Sequence, residues 1–273
     1  MTRGVLEKVT NRYLGYVNTF RDVTDTLPRL LQLKMEHSNY AAIQARDVMI
    51  GEGWEKSLRY AGDAASRLHD IACYVQFHAF GTFRDSESFD HADAGAEIIQ
   101  QKGWLAVLPE EERNAILAAV RLHNKHEIPP SLTELETNFV HMVRDADKLD
   151  IFRMLEMALE NGLLVRYPEI IGGLPMEGEP TPEVIEAVCK GEPVNDDAIR
   201  VFADFVLAQV GWLNGGLHFK TTARLTIERQ TLEFREKLLK TLATDHSGIE
   251  CCCGNARHFL AMRVRRTVMT ETE

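Results

Sequence analysis

Apolar residues recur at three- and four-residue steps along most of this chain, and strict apolar–polar alternation is scarce. The pattern predicts helices and almost no strands. Residues 1–25 carry Val5, Val9, Tyr13, Val17 and Phe20 at helical spacing. Asp25-Thr26-Leu27-Pro28 reads as a helix start, with proline near the first turn. The helix it opens is expected from about Pro28 to Met49, with Leu30, Leu31, Leu33, Ile43 and Val48 on its apolar side, until Gly51-Glu52-Gly53 breaks it. Trp54 to Val75 is expected as one helix, residues 78–90 as a loop rich in glycine, serine and charge, and 91–102 as a helix with Asp90 as its N-cap. Pro109-Glu110-Glu111-Glu112 puts acids in a first turn, where they complement the helix dipole. That helix should end around His123 to His126, before Pro129-Pro130, and the next long one covers Glu134 to Asn161. Gly172 to Pro193 is acidic and rich in glycine and proline, which marks a linker or surface excursion; helical periodicity returns from Asp196 to Leu242, interrupted at Gly215-Gly216. The expected fold class is all-α.

Composition narrows the function classes. A chain of 273 residues that is 45% hydrophobic can bury one large core, or one core with an appended subdomain. A formal charge of −10 argues against wrapping a nucleic acid polymer or docking on an anionic membrane, since both need a basic surface. It leaves room for a small anionic substrate held by a few local cations. No run of 18 apolar residues is present and the first residues lack the apolar core of a secretory signal, so a cytoplasmic setting is expected. Five cysteines, Cys73, Cys189 and Cys251-Cys252-Cys253, are odd in number and lack framework spacing. They argue against a disulfide scaffold and for a reducing compartment. The adjacent triple is poorly spaced for zinc and reads as a C-terminal turn with exposed thiols.

The chemistry gathers around Arg67-Leu68-His69-Asp70-Ile71-Ala72, where a histidine and an aspartate sit side by side in a half-apolar helical stretch. Burying both is costly unless something uses them, and a divalent cation is a good user of imidazole with carboxylate. Further donors follow at His37, His91, His123 and Asp147, spread over five helices or helix ends. Such a set suits a bundle in which ligands from facing helices converge on the core. Each histidine is then expected to have its second ring nitrogen held by another acceptor. Asp145, Asp147 and Asp150 compete for one ligand position, because residues two apart on a helix diverge by about 200°. Lys148, Lys125 and Arg84 are cations near these ligands in sequence, candidates for meeting a substrate phosphate; the plainer reading of each is a solvated charge. His78, His141, His218, His246 and His258 read as structural or exposed, and His126, three residues after His123, as a weaker ligand candidate.

The ordered set of a histidine, a His-Asp doublet, two further histidines and Ala146-Asp147 resembles the HD-domain superfamily of metal-dependent phosphohydrolases over about residues 30–155. Gly81-Thr82-Phe83-Arg84-Asp85, Asp90-His91-Ala92 and Arg144-Asp145-Ala146-Asp147-Lys148-Leu149-Asp150 are similar to text from a bacterial subgroup of HD hydrolases. The resemblance implies one HD-type domain over 1–273, with a core of about 28–160 and a C-terminal helical extension over 161–273. It implies a first metal on His37, His69, Asp70 and Asp147, and a second on Asp70, His91 and His123, with Asp70 bridging and a water or hydroxide between the ions. Two departures stand out. Ala72-Cys73 occupies the place where the subgroup commonly has Gly-Arg, so a cation often found beside the site is missing. His123-Asn124-Lys125-His126-Glu127-Ile128-Pro129 lacks the His-His-Glu and Gly-Tyr-Pro signature of the cyclic-dinucleotide branch.

The expected function is hydrolysis of a phosphomonoester or phosphodiester of a nucleotide or other small phosphorylated metabolite. Asp70 bridges the metals in that scheme, and Lys148, Lys125 or Arg84 offsets developing charge. Imidazoles with carboxylates fit Mn, Fe, Co, Ni or Zn, as one ion or two. No nucleic acid polymer and no membrane is expected as a partner, and a homo-oligomer stays open. Two rival classes share these ligands: a di-iron oxygenase, since a few HD-fold proteins of similar ligand order are oxygenases, and a non-catalytic sensor that keeps a metal for folding.

Overall fold

The computed structural model describes residues 1–265, and these are helical with no strand among them. The last stretch of the expected C-terminal extension, 266–273, lies outside the described residues. The chain divides into two compact units, Met1–Met157 and Ala158–Glu273, a boundary close to that expected between the core and its C-terminal helical extension.

The first unit contains α1 (Arg3–Asn18), α2 (Arg29–Gly51), α3 (Lys56–Leu68), α4 (Cys73–Phe80), α5 (His91–Gln101), α6 (Glu110–Leu122) and most of α7 (Glu134–Glu160). Helix α3 is its centre and packs against α1, α2 and α6. Its buried face is built from small residues, Ala61, Gly62, Ala64 and Ala65, which let neighbouring helices approach closely. A Cβ at Gly62 would collide with the side chain of Met49 on α2. Val9, Tyr13 and Val17 are fully buried as the periodicity of α1 predicts, and the Tyr13 hydroxyl meets that of Tyr74 on α4 at 2.7 Å. On α2 the expected stripe is only partly right. Leu31, Leu33 and Val48 are buried, but Ile43 faces outward at 43% exposure, while His37, Ser38 and Gln44 take buried positions.

The expected helix from Trp54 to Val75 is two helices. It breaks at the His-Asp doublet, where the amides of Ile71 and Cys73 bond to the carbonyls of Leu68 and Asp70, three residues back instead of four. Adjacent residues of a continuous helix diverge by about 100°. The break removes that constraint and lets His69 and Asp70 point to one place. Residues 78–90 contain the end of α4 and a short 3₁₀ turn, Asp85–Glu87. Asp90 caps α5 as expected, accepting from the amides of Ala92 and Asp93 at 3.0 Å each.

The second unit holds α8 (Leu163–Arg166), α9 (Pro182–Lys190), α10 (Phe202–Leu213), α11 (Lys220–Glu228), α12 (Thr231–Leu242) and α13 (Ser247–Arg265). Helix α9 lies inside the stretch expected as a linker. Pro182 opens it at a position where no backbone donor is lost, and Val184 and Val188 anchor it in the core. The cysteine triple lies on α13, not in an exposed turn, and Cys252 and Cys253 are buried. Packing of α9 on α13 brings the sulfurs of Cys189 and Cys251 together, their Cα atoms 6.0 Å apart. Sequence spacing could not announce that pairing, because the two helices meet only in the folded unit. No described helix is long and apolar enough to cross a membrane.

Candidate metal centre

Six side chains expected to meet do so in the first unit. His37 comes from the middle of α2, His69 and Asp70 from the break after α3, His91 from the first position of α5, His123 from the end of α6, and Asp147 from α7. The Nε2 atoms of His37 and His69 are 3.2 Å apart, and Asp147 Oδ1 lies 3.1 Å from the first and 3.6 Å from the second. Asp70 Oδ2 completes this group at 3.5 Å from His37 and 3.3 Å from His69. The other oxygen, Oδ1, faces a second pair, His91 at 3.4 Å and His123 at 3.7 Å, whose Nε2 atoms are 3.1 Å apart. Asp70 therefore stands between two donor groups and gives one oxygen to each.

The opposite ring nitrogens explain why these contacts point to a cation. His69 Nδ1 lies 2.7 Å from the Ser66 carbonyl and His123 Nδ1 2.8 Å from the Val120 carbonyl. A carbonyl only accepts, so both Nδ1 atoms carry the proton. His37 Nδ1 meets the Asp150 carboxylate at 2.7 Å, and His91 Nδ1 meets Asp85 at 2.8 Å. An ionised carboxylate assigns the same tautomer. Every neutral ring thus turns a bare Nε2 lone pair toward another one about 3 Å away, an arrangement that needs a cation or a proton between them. Ligand atoms about 2.1 Å from a transition metal lie about 3.0–3.4 Å from one another along the edges of an octahedron or tetrahedron. The observed spacings fit that range or slightly exceed it, and the donor atoms of His37, His69 and Asp70, and of Asp70, His91 and His123, form two groups that can each hold an ion.

The electrostatics also call for positive charge. Burial works against ionising Asp70, yet His69 and Lys34 hold its carboxyl well below the usual carboxylate range. Burial likewise opposes ionising Asp147, and hydrogen bonds from His37 and His69 outweigh it. For His69 burial disfavours the imidazolium, but Asp70 and Asp147 push its pKa up to about 10. His123 goes the other way: burial, with the neighbouring His69 and His91, lowers its pKa and keeps the ring neutral.

Two contributors, Lys34 and Asp85, were not proposed as site residues from the sequence, and a third, Asp150, was named there only as a competitor of Asp147. Lys34, one helical turn before His37, donates to Asp70 Oδ2 at 2.5 Å. Asp150 is fully buried, and Arg153 Nε holds its other oxygen at 2.6 Å. It lies three residues beyond Asp147 on the same helical face, so it tethers His37 while Asp147 faces the donor group. Asp85, held by Gln76 at 2.8 Å and Asn124 at 3.1 Å, tethers His91.

The proposed substrate cations lie differently. Lys125 is ion-paired with Asp90 and Asp93, the exposed Arg84 pairs with Glu87 at 3.1 Å, and Lys148 is half-buried next to Asp147 on α7. His126 is exposed and does not join the donors. Cys73 keeps its thiol, since burial and Asp70 raise its pKa, and donates to Asp70 Oδ1 at 3.4 Å. His37, His69, Asp70 and His123 are buried, whereas the side chains of Asp147, His91 and Lys34 are 19%, 16% and 25% exposed.

The tethers should matter to metal affinity although they touch no ion. Asp150→Asn and Asp85→Asn are each expected to weaken metal binding by about 10–100-fold. Asp150→Asn should cost more, because its buried position also leaves Arg153 without its counter-ion. Metal titration followed by calorimetry checks this; unchanged affinity in both variants would remove the tethering role. No protein-family model, no curated protein and no solved structure matches this chain.

Proposed function

We propose that this protein is a metal-dependent phosphohydrolase of the HD type, acting on a nucleotide or another small phosphorylated metabolite. The observation that supports it most is the pair of opposed, bare Nε2 contacts on either side of one shared carboxylate. His37, His69, Asp70 and Asp147 would hold one ion, and Asp70, His91 and His123 the other. Bound divalent ions would supply a water ionised near neutral pH and polarise the phosphoryl oxygens.

The remaining work falls to the chain itself. The carboxylates of Asp150 and Asp85 and the carbonyls of Ser66 and Val120 keep each imidazole in the ligand tautomer and stop the rings from turning. Lys34 stays charged, since Asp70 outweighs the effect of burial on its ammonium. Lys34, bonded to Asp70, and Lys148, next to Asp147 along α7, are the cations that would offset charge on a phosphoryl group. Lys34, Lys125 and Arg84 are each held by carboxylates as well, so each would share its charge with a phosphoryl group. Imidazole and carboxylate donors leave Mn, Fe, Co, Ni and Zn as the candidate ions.

The test is phosphate release from p-nitrophenyl phosphate and from a nucleotide panel, with Mn or Ni added to chelator-treated protein. Activity is expected only with metal and should vanish in His69→Ala. Metal binding without phosphate release from any substrate would leave the sensor reading in its place. Oxygen consumption by the iron-loaded protein would favour the oxygenase.

A further inference from the structure

A recess lies in the first unit, between α1, α2 and one face of α3, and none of the donors of the candidate centre lines it. Its volume is about 650 Å³, within the range of small-molecule sites. Five cations, Arg3, Arg46, Lys56, Arg59 and Arg67, line it against two carboxylates, Glu7 and Asp63. That excess is unexpected in a chain of net charge −10.

The carboxylates are already committed. Arg3 pairs with Glu7 at 3.0 Å. The buried Asp63 is shared by two guanidinium groups, Arg46 and, at 3.1 Å, Arg67. Among the described residues no carboxylate lies within ion-pair distance of Lys56 or Arg59. The Nε atoms of Arg59 and Arg67 are buried without an acceptor. Both belong to α3, whose first turn has no side-chain cap and supplies Lys56, Arg59 and Tyr60 to the groove. The terminal nitrogens of Arg67 already bond to Asn39 and Asp63, which leaves Lys56 and Arg59 as the cations the recess offers to an anion.

We propose that this groove binds the polyphosphate group of a small molecule. Guanidinium forks match phosphate oxygens two at a time, and an ammonium adds an undirected charge. The local excess of three positive charges offsets most of the charge of a polyphosphate. The confined volume and the acidic remainder of the chain disfavour a nucleic acid strand, which needs an extended basic track. The proposal does not rest on the hydrolase reading, because it uses none of the metal ligands.

The test uses inorganic tripolyphosphate and the full chain in chelator-containing buffer, followed by calorimetry. Saturable binding of one equivalent is expected in the unmodified protein and in Asp70→Asn. Lys56→Glu, at an exposed position that should not disturb folding, is expected to weaken it at least about tenfold, and Arg59→Gln likewise. Absence of saturable binding up to millimolar concentrations would overturn the proposal. So would equal affinity in Lys56→Glu and Arg59→Gln, or loss of binding in Asp70→Asn alone, which would assign the anion to the metal centre.

Discussion

Asp70→Ala is expected to lose both metal ions together and to lower phosphate-ester turnover by at least about 10³-fold, or about 4 kcal/mol of transition-state stabilisation. No other donor serves both groups: Oδ2 lies among His37, His69 and Lys34, and Oδ1 faces His91 and His123. Removing a terminal ligand such as His123 weakens one group; removing Asp70 opens both. The alanine also leaves Lys34 and the raised His69 without their nearest anion, so a second variant is needed to separate chemistry from folding. Asp70→Asn keeps the shape and loses the charge. It should retain a cooperative melt while its metal content, measured by elemental analysis, falls toward zero. Full metal content and turnover in both variants would refute the bridging role and the hydrolase reading with it.

Metal removal should destabilise the first unit, and the loss should grow as pH rises from about 6.5 to 8.5. In the metal-free protein His69 has a folded-state pKa of about 10, above its unfolded value. A raised histidine contributes stability that is fully present below the unfolded pKa of about 6.5 and is lost as pH rises through the folded value. The metal-free protein therefore weakens across this window by at most about 1.4 kcal/mol per pH unit from this group. The loaded protein uses the unprotonated imidazole as a ligand, so proton loss costs it nothing there and metal affinity increases. Saturation at about 100 times the dissociation constant adds roughly 2.7 kcal/mol, equivalent to about 5–10 °C in melting temperature for a unit of this size. Melting curves with metal and with chelator at several pH values measure the gap. A gap that narrows as pH rises would contradict the assignment of His69 as a ligand that exchanges a proton for a metal. Buried thiols and phenols, whose pKa values are raised, titrate above this window and affect both forms alike.

The all-α class and most helix positions were legible because local periodicity and caps act within a few residues: Asp90 caps α5, and Val9, Tyr13 and Val17 are buried as their spacing predicts. That four histidines and two aspartates from distant stretches would gather was legible through residue type and order, the expectation the resemblance supplied. What ordered text could not contain was direction. The break after Leu68 turns His69 and Asp70 the same way, and it arises from backbone bonds that no propensity marked. Asp150, Asp85 and Lys34 became partners of the centre only when α7, the 3₁₀ turn and α2 converged on it. The ion pairs that engage Lys125 and Arg84 belong to the same category, as does the meeting of Cys189 with Cys251. Sequence alone determined which side chains were available and which helices would carry them. Tertiary structure decided which atoms meet, because hydrogen bonds and coordination act over about 2–4 Å, and residues distant along the chain come that close only when helices pack.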